Sequence, residues 1–482
     1  MSNPLILGTN SIKDTGYEVA NSLRFESAYL QNPSSGASST AERRTLTWSF
    51  WFKRSKLGAV SSTQYVISGR YNSSYHCSIL LNSTDQLRLF QNAGGSTQID
   101  LKTNRKFRDT ASWYHVVVAI DTTQSTSSNR VKIYVNGTQE SSFATETYPS
   151  LNRDTYFGMT SGTDGYPTYI GSNTSEHFHG YMAEVVEVGG SQLDADSFGE
   201  FDSDTNIWIP KDLSDLSFGS TAGANVYLDF QDSSTLGNDV SGGNNDYSVN
   251  NLTSVDQSTD TCTNNFATMN PLDNYYAGST FSEGNLKIVS GTSPYSSNTA
   301  TFGLSSGKWY YELKYLAKGG SEDLWHVGIK STQDTSNSQM LGHFANDYGY
   351  RAFNGNVRNN NADITYGNTF AVNDIIGVYI DLDNSKLYFA KNGTVQNSGT
   401  GISITSVAST PLGVYLPAIS WNDGATTGTC SLNFGNPEFS ITSGNSDANG
   451  YGNFEYDPSS GTFDGSSKDF LAINTKNLAE YG

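Results

Sequence analysis

The stretch DIIGVYIDLDNSKLYFAKNG, residues 374–393, reads as one β-hairpin. Ile376, Val378 and Ile380 alternate along one face of a first strand, and Leu387 and Phe389 along one face of a second. Successive side chains of a strand point to opposite faces, so an apolar residue at every second position marks a face turned to a core. Between the strands, Leu-Asp-Asn-Ser supplies turn chemistry: short polar side chains that bond their own backbone and tolerate tight bends. Asp381 and Asp383 flank that turn, and Asx-type bonding accounts for both without a metal. The chain does nearly the same thing earlier. Residues 113–137 read WYHVVVAID, a polar loop, then RVKIYVNG. Both units run strand, aspartate, turn, strand, Asn-Gly. The reading is all-β: two antiparallel β-sandwiches in tandem, each organised about one such hairpin.

The rest of the chain agrees with that reading. At 482 residues it is long for a single domain. Helical periodicity is almost absent; one short turn is expected between residues 194 and 201. LTWSFWF, residues 46–52, places Trp48, Phe50 and Phe52 on one face and Trp51 on the other. Strand-like runs separated by turns every ~8–12 residues follow, the spacing of a sandwich or barrel. NVYLDF, residues 225–230, resembles SLRF at 22–25 and is expected to return to pair near the start and close the first domain. The expected boundaries are an N-terminal arm at 1–20, a first sandwich at 21–232, a packed linker at 233–275, a second sandwich at 276–440 and a C-terminal tail at 441–482. The linker is polar, but Phe266, Met269 and Leu272 require a surface to cover.

Composition bounds the partners. Charged residues make up 16% of the chain, and Gly, Ser, Thr and Asn are over-used, so the surface is one of hydroxyls and amides. A net charge of −19 repels phosphate backbones, which argues against nucleic acid. No apolar run approaches the ~18 residues of a spanning helix. Three cysteines, Cys77, Cys262 and Cys430, are too few and too widely spaced for a disulfide framework. The first residues show neither a charged n-region nor a long apolar h-region. The expectation is synthesis in a reducing cytoplasm and display outside it.

Few residues carry chemistry. GLSSG, residues 303–307, fits a nucleophile-elbow pattern, but a strand follows it where a helix is needed. Glu184 and Glu187 stand three apart on a strand and face opposite ways, which defeats a paired-carboxylate glycosidase; each is expected to face solvent or a ladder edge. Asp202, Asp204 and Asn206 begin like a calcium loop that lacks its later ligands. His177 and His179 are expected on a strand, in a structural role without a third zinc ligand. Aromatics near predicted strand ends are the ligand-binding candidates: Trp421 in the SWNDG loop, Trp325, Tyr348 and Tyr350.

Several motifs resemble known families. GKWYYELKY (307–315), HVGIKS (326–331), YGY (348–350), VNDIIGVYIDLDNSKLYFAKNGT (372–394), VYLPAIS (414–420) and LNFG (432–435) occur in the order of a SPRY (B30.2-like) domain. That resemblance implies a two-sheet sandwich whose loops bind protein partners. LTWSFWFKR, WYHVVVAID, VKIYVNGT, YIGSN and FHGYMAEVVEV resemble a laminin-G/concanavalin-like jelly roll. That fold commonly binds glycans or proteins, often through Ca²⁺, so Ca²⁺ is the one cofactor candidate. With NFATMNPLD (265–273) between them, the two domains look like a type of marine bacteriophage structural protein found in tail fibres, head fibres and capsid decoration. The expected function is therefore a non-enzymatic virion surface protein that attaches to a host glycan or protein, with copies of itself and other virion proteins as partners. The alternatives are a bacterial glycan-binding or glycan-cleaving protein and a purely architectural virion scaffold.

Overall fold

The computed structural model describes residues 12–32, 39–58, 63–157, 167–218, 225–274, 278–292, 295–332 and 339–482. The chain divides into two compact units, residues 15–263 and residues 264–482 with the described part of 1–14. Both are antiparallel β-sandwiches. Among the described residues the α-helices are Thr40–Arg44 and Thr475–Tyr481, and the turn expected near 194–201 is a single 3-10 turn at Ala195–Ser197.

In the first unit two eight-stranded sheets face each other. Thr45–Arg54 runs between Tyr114–Asp121 and Gly180–Gly189. Alternation sorts its side chains as expected: Trp48, Phe50 and Phe52 enter the inter-sheet core, while Trp51 joins a second cluster on the outer face. Asn225–Leu228 returns to Gly180–Gly189, the strand that also pairs with Ser22–Phe25. On its other side Ser22–Phe25 pairs with Gln257–Ser258. The segment expected as a linker thus supplies strands Ser248–Asn250 and Gln257–Ser258 to the first unit, and the boundary between units falls after Thr263. Its next residues belong to the second unit, where Phe266 and Met269 are buried.

The second unit packs a nine-stranded sheet against a six-stranded one. The opening hairpin is Ile375–Asp381 with Lys386–Lys391, with Val378 opposite Phe389 and Ile380 opposite Leu387, all fully buried. At its turn Asp381 Oδ1 accepts the Asn384 N–H at 3.0 Å, the Asx bond expected there, and Asp381 Oδ2 also pairs with Lys468 at 2.7 Å; Asp383 departs from the expectation, its carboxylate accepting the Gly307 N–H at 2.9 Å and pairing with Lys308 at 2.6 Å. The strand is buried on both faces, because the C-terminal segment is no loose tail. Phe454, Phe463 and Phe470 cover the outer face of the sheet at Tyr310, Tyr379 and Tyr388. Leu471–Ala472 adds a parallel strand against Lys308–Lys318. Beneath this cover Glu312 is fully buried and accepts the N–H groups of Tyr456 (2.8 Å) and Glu455 (3.2 Å), the Asn433 amide (2.9 Å) and the Tyr310 hydroxyl (3.0 Å). A buried carboxylate left without such donors would cost several kcal/mol, roughly 1–3 or more for each lost partner, so these bonds fix where the segment docks.

Candidate functional site

A pocket of about 380 Å³ opens on the second unit, lined by Glu322, Leu324, His326, Arg351, Phe353 and Asn422. Its size is at the small end for ligand sites, enough for one sugar ring or one or two side chains. Three strands build it. Trp325–Lys330 lies between Asp347–Arg351 and Leu416–Trp421, with His326 directly opposite Arg351. These two therefore share one face of the sheet, while Trp325, Val327, Tyr350 and Trp421 occupy the other.

That parity decides the fate of the four expected aromatics. Trp325, Tyr350 and Trp421 are fully buried and Tyr348 is nearly so. Trp325 packs edge-on against Trp421 at 5.3 Å, and Tyr350 stacks on Phe370 and Phe389. Trp421 Nε1 donates to the Thr426 carbonyl at 2.9 Å, and the Tyr348 hydroxyl accepts the Thr405 N–H at 3.0 Å. None offers a ring to solvent, so as ligand contacts they are corrected to core. In three cases the pocket residue is the next one along: His326 after Trp325, Arg351 after Tyr350, Asn422 after Trp421. The pocket thus lies on the opposite face of the sheet from the expected aromatics.

The electrostatics follow from the same packing. His326 Nδ1 lies 3.0 Å from the Leu341 carbonyl oxygen, which can only accept. Nδ1 therefore carries the proton, leaving Nε2 as an acceptor. Burial pushes the ring's pKa down to about 4, so it is neutral at pH 7. Arg351 and Arg358 both donate to Asp363, the latter at 2.8 Å. Burial raises the Asp363 pKa, but these guanidinium groups outweigh it and hold the carboxyl below its ordinary value. Phe353 stands 54% exposed at the rim, the most exposed large apolar side chain of the described residues. The lining thus offers acceptors at His326 and Glu322, an amide at Asn422, a part-satisfied cation at Arg351 and an apolar ring. It holds no serine, cysteine or carboxylate pair.

The first unit's candidates resolve differently. Glu184 and Glu187 point to opposite faces, but both are buried, contrary to the expectation of solvent or a ladder edge. A bulge between Ala183 and Val186, with Glu184 in the left-handed region at φ 49°, turns Glu184 to the outer face. There its carboxylate accepts the Tyr227 hydroxyl at 2.7 Å and the Tyr17 hydroxyl at 3.4 Å. Burial raises its pKa to about 7 and that of Glu187 to about 8. The signal for this was a carboxylate inside an otherwise apolar strand, GYMAEVVEV. Asp202 spends its Oδ1 on the Thr205 N–H and hydroxyl, an ordinary turn. His177 and His179 lie outside the strands; His177 stacks on Tyr29 and His179 Nδ1 sits 3.1 Å from Glu26. Residues 303–307 form the loop before Lys308–Lys318. Among the described residues no three His, Cys, Asp or Glu side chains group closely enough to hold a metal ion, and no helix is long and apolar enough to cross a membrane.

Two family models match parts of the chain. Residues 26–187 match the concanavalin A-like lectin/glucanases superfamily model, and residues 308–437 match the SPRY domain model. A probable ATP-dependent RNA helicase ddx1 of Dictyostelium discoideum is 33% identical over 120 residues, 25% of this chain and 14% of that protein. The Set1 complex component ash2 of Schizosaccharomyces pombe is 32% identical over 102 residues, 21% of this chain and 15% of that protein. The chain therefore spans only a small part of these relatives. Among solved structures, the SPRY domain of human HERC1 aligns over 34% of this chain and 96% of its own, with 16% identity and a TM-score of 0.29. The chain carries a concanavalin-like domain in its first unit and a SPRY domain in its second.

Proposed function

We propose that the chain is a non-enzymatic binding protein of a bacteriophage surface, a tail-fibre, head-fibre or capsid-decoration component that attaches to a host glycan or protein. The observation that carries the binding reading is the pocket beneath Phe353. An exposed ring beside acceptors at His326 and Glu322 suits a ligand with an apolar face and several donors, such as a sugar or a donor-bearing side chain. The virion setting rests on the hydroxyl- and amide-rich surface and on the phage-like order of two domains about residues 265–273. Copies arrayed on a particle would turn weak single contacts into avidity. Mass spectrometry of purified particles tests the setting: the chain is expected among the particle proteins, and light scattering of the purified chain is expected to show a homo-oligomer. A monomer absent from particles overturns both.

A glycan-cleaving reading has one observation in its favour, the raised pKa of Glu184 and Glu187 within a lectin/glucanase-type unit. Their opposite faces and burial count against it. Reducing sugar released from a polysaccharide panel by the wild type, and abolished by Glu184→Gln or Glu187→Gln, would establish it.

A further inference from the structure

Lys53 and Asp260 form a sealed pair in the first unit. Lys53 Nζ lies 2.8 Å from Asp260 Oδ2, and the side chains are 1% and 0% exposed. The two residues are 207 positions apart, one on the strand Thr45–Arg54, the other just after Gln257–Ser258, the strand that closes the sheet. Around them is aromatic surface: Trp113, Trp51 and Tyr181 belong to the same apolar cluster, and Nζ sits 5.7 Å from the Tyr181 ring centroid. The other carboxylate oxygen, Oδ1, accepts the Trp113 indole N–H at 3.0 Å. The backbone of Asp260 is held as well, with its carbonyl accepting the Ser22 hydroxyl at 2.6 Å and its N–H bonded to Ser258 Oγ at 3.2 Å.

From this geometry we propose that Lys53 and Asp260 join through an intramolecular amide bond formed by the folded chain itself. Taking an ammonium and a carboxylate out of water costs more than their attraction returns unless every remaining polar atom is satisfied. A proton passing from Nζ to Oδ2 removes both charges and leaves an amine nucleophile against a carboxylic acid. Burial acts in that direction on Lys53, lowering its pKa, while the fields of Asp260 and Asp109 oppose it. Nζ then attacks Cγ. Charge develops on Oδ1, where the Trp113 N–H already stands as a fixed donor. The Cγ–Oδ2 bond breaks and Oδ2 leaves as water, carrying two of the three ammonium protons; the third stays on the amide nitrogen. The step needs no oxidant, reductant or co-reactant, and held contact supplies the proximity that a bimolecular amidation lacks. The product would tie an interior strand to the closing segment, so the first unit could not unzip from that end.

Intact-mass spectrometry of the folded, full-length protein tests this. The expected result is a chain lighter than its sequence mass by one water, with a tryptic species joining the peptide of Lys53 to that of Asp260. Lys53→Met should restore the full sequence mass and slow migration in a denaturing gel, because the cross-linked loop is then open. Wild-type protein at its full sequence mass after prolonged incubation in the folded state, with no joined peptide, overturns the proposal. That result needs no variant to fold.

Discussion

The two hairpins share a plan down to single atoms and differ in what covers them. In the first, Asn136 Oδ1 accepts the His115 N–H at 2.8 Å; in the second, Asn392 Oδ1 accepts the Ile375 N–H at 2.8 Å. In each an Asn-Gly pair sits in the left-handed region, Asn136 and Gly137 at φ 46° and 76°, Asn392 and Gly393 at 48° and 77°. These are the angles of a type I′ turn. A side chain on either glycine would also strike an aromatic ring, Trp208 over Gly137 and Tyr456 over Gly393. Those rings belong to the covers. Over the first hairpin the cover is built from residues around 195–213, with His115 stacked between Trp51 and Trp208 and hydrogen-bonded to Trp208 and Ser49. Over the second it is the C-terminal segment, three phenylalanines pinned by Glu312. The hairpin fixes the sheet; the cover fixes what disturbs it.

The largest expected effect is at the shared core. Ile380→Asp puts a carboxylate at a fully buried apolar position, and should unfold the second unit, at a cost above about 4–5 kcal/mol. Hydrogen exchange should then show the amides of Ile375–Asp381 open and those of Tyr114–Asp121 protected. Unchanged protection in both would mean that the core face is wrongly identified.

Truncating the covers comes next. Phe463→Ala and Trp208→Ala should each cost about 3–5 kcal/mol, read by denaturant titration, with the loss confined to the unit that carries the change. A cost below ~1 kcal/mol for Phe463→Ala would make the C-terminal segment an appendage after all.

The covers should also respond to pH in opposite directions. Burial pushes His115 down to about 3 from an ordinary 6.5. The unfolded chain then binds the extra proton first, so stability is full above about 6.5 and is lost as pH falls toward 3. Burial pushes Glu312 up to about 7 from 4.5, against four hydrogen bonds that favour its ionised form. Its contribution is full below about 4.5 and is lost as pH rises through 7. The limbs are worth on the order of 5 kcal/mol for His115 and 3 kcal/mol for Glu312. His115→Gln should flatten the acid limb of the first unit, and Glu312→Gln the alkaline limb of the second, in unfolding midpoints recorded from pH 4 to 8. Parallel curves for variant and wild type would refute the assignment.

Much of the fold was legible because strand alternation is a local signal. Trp48, Phe50 and Phe52 against Trp51, and Ile376, Val378 and Ile380 against Leu387 and Phe389, sort themselves without tertiary information. The covers were not legible. Phe454, Phe463 and Phe470 sit in Gly-, Ser- and Asn-rich sequence with no period, and only the finished sheet gives them a place. The candidate site was half legible for the same reason. Trp325, Tyr350 and Trp421 mark the right strands, but alternation states only that neighbours face opposite ways. Which face is core depends on the second sheet, and that turned the expected aromatics inward and His326, Arg351 and Asn422 outward. Glu184 escaped because a bulge shifts the register within an otherwise regular strand.

The smallest expected effect on stability is also the most direct test of function. Phe353→Ser removes an exposed ring and should change folding stability by less than about 0.5 kcal/mol. Binding of the full-length chain and this variant would be compared on an array of bacterial surface polysaccharides and on intact bacterial cells. The account predicts that the wild type binds and that the variant loses at least about tenfold in affinity, roughly 1.4 kcal/mol, with its unfolding midpoint unchanged. Equal binding by the two proteins, or none by either, would contradict the claim that this pocket is where the protein meets its ligand.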